Sequence, residues 1–324
     1  MKKIVGLGSP IIDEIAFIEE SFLDGLSGAK GGMELLLESE LAQLKSSIGK
    51  DLERIPGGSA GNTIFALARL GIQTGFIGKI GNCISGRFYK DALAQYGGST
   101  ASFKEGSSQN GNCLSLVTPD GERTMRTALG AATELSEEEL SDADFKPFDH
   151  LHIEGFMIHN PKVLEKSLHL AKSNNCTVSF DLASFEIVNQ SRDALKELLK
   201  SSVDMVFANE EEAAAFTERP ISESKISAEI LHELCPIAVV KLGAEGCIIA
   251  SDQTLHHSEA IRVDTVTDTT GAGDFWAAGF LHGWAHQQSI TESARRGALL
   301  GSSVIQNHGA RLNETQWLQI LEQI

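Results

Sequence analysis

The sequence predicts an α/β fold of three layers, α/β/α, with a central and mostly parallel sheet and a small β-rich lid. Two observations predict the layers. Short apolar runs alternate with amphipathic segments along the 324 residues, which is the pattern of strands joined by helices that cover both faces of a sheet. Several amphipathic segments end in Gly or Asn, as helix C-termini prefer. The lid is predicted by a third observation, because two stretches break the alternation.

The predicted elements follow one another in β-α-β-α order. The predicted core strands are KKIVGLG, TGFIGKI, HLHIEGF, CTVSFDL, VDMVFAN and IAVVKLG. The predicted helices between them are SAGNTIFALARLG, GRFYKDALAQYG, NPKVLEKSLHLAKSNN and SRDALKELLKSS. Neither an internal repeat nor a low-complexity linker interrupts this order. The sequence therefore predicts a single domain over residues 1–324.

The lid is predicted over approximately residues 13–54 and 107–130, inserted in the main domain. The first stretch is acidic and spotted with glycine. The second contains CLSLVTPDGERTMRTAL, in which a Pro-Asp-Gly turn joins two runs of strand-forming residues, as in a β-hairpin. We expect both stretches to form a flap over the ends of the core strands.

Composition excludes several classes of partner. The formal net charge of −17 argues against binding to nucleic acid and to anionic membranes, because both require clustered Lys and Arg. An anionic ligand must therefore be held locally. The five cysteines are odd in number, widely spaced and never in a CxxC pair, which favours a reducing cytoplasm. No stretch approaches the length of a membrane span.

The string DTTGAGDFWAAGF, Asp268 to Phe280, is the most informative one. Gly271, Ala272 and Gly273 allow close approach of a ligand to the backbone, at the point where a loop becomes a helix. A helix N-terminus has unpaired N–H donors and partial positive charge, so it can hold a phosphate without lysine. Asp274 beside such a phosphate is repelled unless it accepts a proton. An ordinary Asp-capped helix would explain DxxG alone.

A second string, PGGSAGNTIFALARLG, begins at Pro56. Gly57 and Gly58 precede a predicted helix and allow close backbone approach or hinge motion, and Asn62 falls in its first turns. A glycine-rich turn before a helix is also common without any function. Asp13, just after the first predicted strand, either binds ligand hydroxyls or caps a turn. Their placement favours function, because Asp13, Asn62, Asn209 and Asp274 all fall at carboxyl ends of predicted strands, where open α/β sheets bind ligands.

The sequence resembles the PfkB, or ribokinase-like, family of carbohydrate and nucleoside kinases over essentially its whole length. The motifs that carry the resemblance are GGSAGN at 57–62, DTTGAGD at 268–274, ANEEE at 208–212 and VVKLGAEG at 239–246. DTTGAGD is the most specific of them. The resemblance implies a ribokinase-like fold and an ATP-dependent kinase that uses Mg²⁺.

The resemblance also implies roles for individual residues. Asp274 matches the catalytic base, and Gly271, Ala272 and Gly273 match the anion hole. The matches for contacts to sugar hydroxyls are Asp13, Gly58 and Asn62. Asn209 and Glu212 match residues that organise magnesium through water, and ATP is implied along Lys241 to Gly243. Many members bind a monovalent cation such as K⁺, whose ligands Asp268 and Thr270 match, and Arg123 resembles a lid arginine that meets the transferred phosphate.

The chemistry fits these roles. Phosphoryl transfer to a hydroxyl needs in-line positioning, neutralisation of charge on the γ-phosphate and a late acceptor for the hydroxyl proton. Asp274 can be that acceptor, because the hydroxyl becomes acidic as its oxygen bonds to phosphorus. A lid would exclude water, which otherwise competes as acceptor.

Other motifs favour no rival enzyme class. GLGSPI lacks the third glycine of a dinucleotide fingerprint, because Ile11 stands in its place, and the chain has no GxxxxGK[ST]. The pairs His150/His152 and His282/His286 suggest metal ligands, but no carboxylate or Cys stands at matching spacing. Structural histidines are therefore favoured.

The sequence leaves two classes of phosphate acceptor open, a furanose sugar and adenosine. The N-terminal stretch is similar to adenosine-kinase-like and bacterial sugar-kinase members, which share a ribose or furanose acceptor. We favour transfer to the primary hydroxyl of a furanose sugar such as ribose or fructose, with adenosine as the alternative. Phe17, Phe156 and Met157 are the candidates for the walls of a purine pocket, or else core residues. A non-catalytic sensor is a second alternative, which the intact Asp274 disfavours; an exposed edge of the lid sheet would allow two subunits to pair.

Overall fold

The computed structural model describes residues 1–49 and 52–324. Lys50 and Asp51, which fall inside the predicted lid, lie outside the described residues. The strands in chain order are β1 (Ile4–Leu7), β2 (Ile11–Phe17), β3 (Met33–Leu35), β4 (Glu53–Gly57), β5 (Thr74–Gly81), β6 (Phe103–Gly106), β7 (Gly111–Val117), β8 (Arg123–Ala128), β9 (His150–Glu154), β10 (Thr177–Asp181), β11 (Met205–Asn209), β12 (Ile237–Lys241), β13 (Cys247–Ser251) and β14 (Thr254–Ser258).

The α-helices cover the sheet and one side of the lid. They are α1 (Glu38–Ile48), α2 (Ser59–Arg69), α3 (Ile84–Gln95), α4 (Pro161–Ser173), α5 (Phe185–Ser202), α6 (Glu210–Thr217), α7 (Ser224–His232), α8 (Ala272–Ala285), α9 (Ile290–Val304) and α10 (Glu314–Leu321). The six predicted core strands and the four predicted helices are all present, although α5 begins six residues before the predicted SRDALKELLKSS.

Two sheets organise the chain. The large sheet has nine strands in the order β14-β13-β12-β11-β10-β9-β1-β5-β6, and only the pairs β12–β13 and β13–β14 are antiparallel. The second sheet has five strands in the order β3-β8-β7-β2-β4. We call this second sheet, together with α1, the lid. The architecture confirms the predicted α/β/α fold with its lid.

The core lies on both faces of the large sheet. Neighbouring residues of a strand point to opposite faces, so Ile4 and Phe207 belong to one buried cluster, and Val5 and Val206 belong to the other. The first cluster is completed by helices that include α2, α8 and α9, and the second by helices that include α4, α5 and α7. Parallel strands buried on both faces read as continuous apolar runs, which is why the sequence reveals them.

The lid is β-rich, as predicted, and it also contains a helix of 11 residues, α1, that the sequence pattern does not indicate. Leu41 of this helix is buried against Ala16, Leu114 and Leu116, which line one face of the lid sheet. The same face buries Glu14, whose carboxylate is paired with Lys45 of α1 and Arg54 of β4. The helix therefore covers an apolar sheet face that would otherwise meet water.

The sequence predicts Asp13 at the end of a strand of the large sheet, and this prediction is wrong. Asp13 lies inside β2 of the lid. It pairs with Ile55 of β4 and Cys113 of β7. Only three residues separate β1 from β2, so the chain passes from the large sheet to the lid sooner than expected. None of the helices among the described residues is both long enough and apolar enough to cross a membrane.

Close packing of α8 on α9 fixes the position of α8. A Cβ atom added to Gly279 of α8 would lie 2.2 Å from the carbonyl oxygen of Arg296 on α9. A Cβ atom added to Gly283 would lie 2.7 Å from Cα of Ser293. Both contacts are with backbone, which cannot move away as a flexible side chain can.

We expect Gly279→Ala to lower the free energy of unfolding by about 1–3 kcal/mol, because the added methyl forces the two helices apart. Denaturant unfolding measures the change. The matched control is Gly25→Ala, because nothing lies within 4 Å of a Cβ atom added there. Equal stability of the two variants would contradict the packing described here.

Candidate active site

Asp274 lies in the first turn of α8 and is held by α2. Its carboxylate accepts hydrogen bonds from Ser59 Oγ and Asn62 Nδ2, each at 2.8 Å. Thr63 Oγ1 donates to the Asp274 carbonyl at 3.1 Å. Three residues of one helix therefore fix the position of one residue of another.

The start of α2 depends on Gly58. This residue has φ +83°, and a Cβ atom there would lie 2.3 Å from the carbonyl oxygen of Ser9. Only glycine accommodates this conformation so close to a neighbouring backbone. Gly58 thus brings Ser59 and Asn62 to Asp274. The amide oxygen of Asn62 is buried and has no hydrogen-bond partner among the described residues, so it can accept from a ligand hydroxyl.

The N-terminus of α8 faces a cavity of about 890 Å³. Gly271 precedes the helix with φ +72°, and a Cβ atom there would lie 2.5 Å from that of Ala310. Gly271, Ala272, Gly273 and Asp274 all line the cavity. Because the first N–H groups of a helix have no intrahelical partner, this end can bind an anion.

The wall of the cavity also carries Asn209, Glu212, Lys241 and Gly243. Asn209 caps α6: its Oδ1 accepts from the Glu212 N–H, and the Glu212 carboxylate accepts from the Asn209 N–H and Nδ2. Lys241 Nζ lies 3.1 Å from Oδ2 of Asp181, which also lines the cavity. The wall therefore combines three carboxyl or amide groups with one ammonium.

Burial dominates the electrostatics of these carboxylates. It raises the pKa of Asp274 to about 6, while the Asn62 hydrogen bond opposes the shift and the charge of Asp181 adds to it. Burial also raises the pKa of Glu212 to about 7, and the charge of Asp181 adds to this shift. The cavity therefore holds negative charge that lacks sufficient cationic compensation.

Asp13 and Arg123 lie on the lid beside this site. Burial raises the pKa of Asp13 to about 7; the nearby Arg123 opposes the shift, and the charges of Asp274 and Asp268 add to it. Arg123 does not line the large cavity but a second one of about 340 Å³ between the lid and the loop before α8. Its guanidinium lies 3.2 Å from Oδ2 of Asp268.

Asp268 and Thr270 do not fit a monovalent cation bound through the Asp268 carboxylate. Oδ1 accepts from Thr270 N and Oγ1, and Oδ2 accepts from Gly309 N and Arg123. A carboxylate has about four acceptor positions, and these four donors fill them. The positive charge beside Asp268 is supplied by Arg123.

Three further residues of the site, Ser59, Asp181 and Glu154, are not among the predicted ones. Asp181 and Glu154 are the last residues of β10 and β9, so the rule that ligands bind at the carboxyl ends of strands would have identified both. Glu154 joins Ser9 N and Ala60 N, at 2.8 and 3.0 Å, and so ties the end of β1 to the start of α2. Ser59 stands inside GGSAGN, but the motif does not show which of its residues contacts Asp274.

The histidine pairs are structural. His150 and His152 are buried, and both contact Ser179 Oγ at 2.8 Å. His282 Nδ1 lies 2.9 Å from a guanidinium nitrogen of Arg296. Within residues 1–49 and 52–324, no group of three or more His, Cys, Asp or Glu is arranged to hold a metal ion.

Several known kinases are similar to this chain in sequence or in structure. The family model for pfkB family carbohydrate kinases matches residues 34–317. An uncharacterized sugar kinase of Archaeoglobus fulgidus is 28% identical over 246 residues, which are 76% of this chain and 96% of the relative. Adenosine kinase 1 of Arabidopsis thaliana is 25% identical over 333 residues, covering 96% of both chains. The crystal structure of adenosine kinase from Sinorhizobium meliloti has a TM-score of 0.89 and 28% identity, covering 100% of this chain and 99% of that one.

We expect Asp274→Asn to be more stable than the wild type at pH 8. Because the pKa of Asp274 rises from 3.8 to about 6 on folding, the wild type loses stability as pH rises through about 6. The amide carries no charge, and the Ser59 hydroxyl can turn to accept from it. The gain is on the order of 3 kcal/mol above pH 7 and shrinks as the pH falls towards 4.

Denaturant unfolding of both proteins at several pH values measures this difference. The control is Asp91→Asn, at an exposed carboxylate of α3, which should leave stability nearly unchanged at every pH. An Asp274→Asn protein that is less stable than wild type at pH 8, or a difference that does not vary with pH, would count against the buried charge.

Proposed function

Since the chain belongs to the pfkB family of carbohydrate kinases, we propose that it transfers the γ-phosphate of ATP to the primary hydroxyl of a furanose sugar such as ribose or fructose. Members of the family are phosphotransferases with an alcohol group as acceptor. One observation carries the proposal: a carboxylate held by two hydrogen bonds stands at a helix N-terminus that faces a cavity of about 890 Å³.

The acceptor hydroxyl binds between Asp274 and the lid. The free amide oxygen of Asn62 accepts from one sugar hydroxyl, and Asp13 contacts another from the lid side. Gly58 contributes by letting the substrate approach the start of α2. Support comes from Asn62, because a buried amide oxygen without a partner among the described residues favours a ligand that supplies one.

Asp274 acts as the general base. With a pKa of about 6 it is mostly ionised at neutral pH and accepts the proton as the acceptor oxygen bonds to phosphorus. A pKa near the working pH is the best compromise between being ionised and being basic. The backbone N–H groups of Gly271, Ala272 and Gly273 stabilise the charge that develops on the transferred group.

ATP lies along Lys241 to Gly243, with its phosphates towards α8. The remaining lining of the cavity is largely apolar and includes Cys247, Trp276, Ala298 and Ile305, which suits the adenine base. In this arrangement the phosphates and the acceptor meet at Asp274.

The residues present fit Mg²⁺. Asn209 and Glu212 offer oxygen donors, which Mg²⁺ prefers, and they line the same cavity. Asn209 and Glu212 are occupied by their mutual hydrogen bonds, so they would hold the ion through water. When bound with ATP, the ion neutralises charge on the phosphates.

The two acceptor classes differ in what the lid must offer. Of the three candidates for purine walls, Met157 lies in the core and Phe17 packs edge-on against His308 at 5.1 Å. Phe156 is 40% exposed. Asp13, Cys113 and Thr127 form a row across β2, β7 and β8, and this row is more polar than the three candidates for purine walls. The core position of Met157 and the polar row favour a sugar.

Adenosine remains the second candidate acceptor, because the similarity to the Arabidopsis thaliana and Sinorhizobium meliloti adenosine kinases covers nearly the whole chain.

The presence of Asp274 disfavours a non-catalytic sensor, because a sensor needs no base. The free state of all five cysteines supports a cytoplasmic location.

A panel of acceptors with Mg-ATP tests the proposal, with ADP formation as the readout. Ribose, fructose, other sugars, adenosine and other nucleosides form the panel. We expect one furanose sugar to give the highest kcat/KM, and Asp274→Asn to lower kcat about 10³-fold with ATP binding nearly unchanged. A higher kcat/KM for adenosine than for any sugar would contradict the sugar and support adenosine as the acceptor. Normal turnover by the variant would exclude Asp274 as the base.

We also expect the transfer rate to be independent of K⁺, because Arg123 and three other donors fill the Asp268 carboxylate. Rates in KCl and in choline chloride at equal ionic strength should agree within about twofold, a difference of less than 1 kcal/mol in the barrier. A loss of activity on removal of K⁺ would show that the cation displaces one of these donors.

A further inference from the structure

Lys241, the last residue of β12, places a buried ammonium against the N-terminus of α8. Its side chain is 12% exposed. A Cβ atom added to Gly273 would lie 2.9 Å from Lys241 Nζ. Gly273 directly precedes Asp274, so the ammonium lies beside the part of the helix that carries the proposed base.

The Lys241 ammonium makes fewer hydrogen bonds to the described residues than it has donors. It has three N–H donors, and its one hydrogen bond to the described residues is to Asp181 Oδ2 at 3.1 Å. The helix N-terminus next to it is also electropositive. Two of the three donors therefore have no partner among the described residues, and they lie on the wall of the cavity beside the helix N-terminus, where both groups can bind the same anion.

Asp181 is held in place independently of Lys241. Its Oδ1 accepts from the Ala183 N–H at 3.0 Å, and Ala183 has φ +67°, in the left-handed region that residues other than glycine rarely adopt. Ala183 lines the same cavity. Backbone strain of this kind persists where the surroundings require it, often at functional sites.

We infer that Lys241 contacts the transferred phosphoryl group of the nucleotide and that Asp181 is a positioning residue, which aims the ammonium at it. The inference rests on the proposed function and deepens it. The backbone N–H groups of α8 and the Lys241 ammonium beside them bind the phosphoryl group together, and the ammonium adds a full positive charge.

A buried ion pair is weak evidence for stability, because its attraction recovers little more than the cost of removing two charges from water. The position of this pair on the wall of the cavity therefore fits a functional role. Asp181 also limits where the ammonium can point, because both its oxygens are engaged, one by the backbone and one by Lys241.

The decisive test compares ATP with ADP. If Lys241 faces the transferred group, Lys241→Met should weaken ATP binding by about tenfold or more and change ADP binding by less than about threefold. Calorimetry with saturating Mg²⁺ measures both affinities. Equal weakening of ATP and ADP, or no weakening of either, would overturn the inference.

The chain offers a matched control. Lys79 is also 12% exposed at its side chain and is paired with Glu139 at 2.9 Å, but it does not line the large cavity. Lys79→Met removes an equally buried ammonium and should leave the ratio of ATP to ADP affinity unchanged. An equal change of that ratio in both variants would contradict a local role of Lys241.

Asp181→Asn provides a second variant that keeps the ammonium. We expect kcat to fall by about tenfold or more, with a smaller change in KM for ATP, because the charge remains but is less well aimed. A purely structural role would lower thermal stability and leave kcat unchanged, which would overturn the positioning role.

The binding test also separates this inference from the proposed function, because it needs no acceptor. A wild-type protein that phosphorylates nothing in the panel, while Lys241→Met loses affinity for ATP and not for ADP, would contradict the proposed function and support the inference. Active transfer with unchanged nucleotide discrimination would do the reverse.

Discussion

The hydrogen bonds from Ser59 and Asn62 to the Asp274 carboxylate are the contacts on which the candidate site depends. They join the starts of α2 and α8, two helices that leave the same end of the sheet. Gly58 and Gly271, both with positive φ, bring these helix ends close enough to meet. The sheet core and the close packing of α8 on α9 then hold the arrangement rigid. The carboxylate is thereby presented to the cavity in one orientation, as a base must be before its substrate arrives.

The site concentrates charge that the fold alone does not require. Asp274, Glu212 and Asp13 have raised pKa values because the surrounding protein shields them from water, and Lys241 is a nearby cation. Such a cluster destabilises the free protein. Its interactions become favourable when phosphates, Mg²⁺ and a polyhydroxyl acceptor supply the missing partners. At the lid, Asp268 joins Arg123, Thr270 and Gly309 through one carboxylate. The lid is therefore linked directly to the loop that forms the proposed anion hole.

The sequence predicts most of the fold, because parallel strands buried on both faces produce apolar runs that local patterns reveal. It also places Asp274, Asn209 and Glu212 on the elements where the structure has them. It misplaces Asp13, since no local signal shows where the chain leaves the large sheet for the lid. The helix α1 was missed because its face is only weakly apolar and is covered by a distant sheet. Asp181 and the filled carboxylate of Asp268 depend on partners 60 and 145 residues away, which no motif spacing encodes.

The central claim is that a helix N-terminus binds the migrating phosphoryl group while the neighbouring carboxylate receives the acceptor's proton. A crystal structure with ADP, Mg²⁺, aluminium fluoride and the preferred acceptor tests it most directly. The account predicts the fluoride atoms against the backbone N–H groups of residues 271–273, and an Asp274 oxygen about 2.6–3.2 Å from the acceptor oxygen that faces aluminium. An Asp274 carboxylate turned away from every acceptor oxygen, or a phosphoryl analogue bound elsewhere in the cavity, would contradict it.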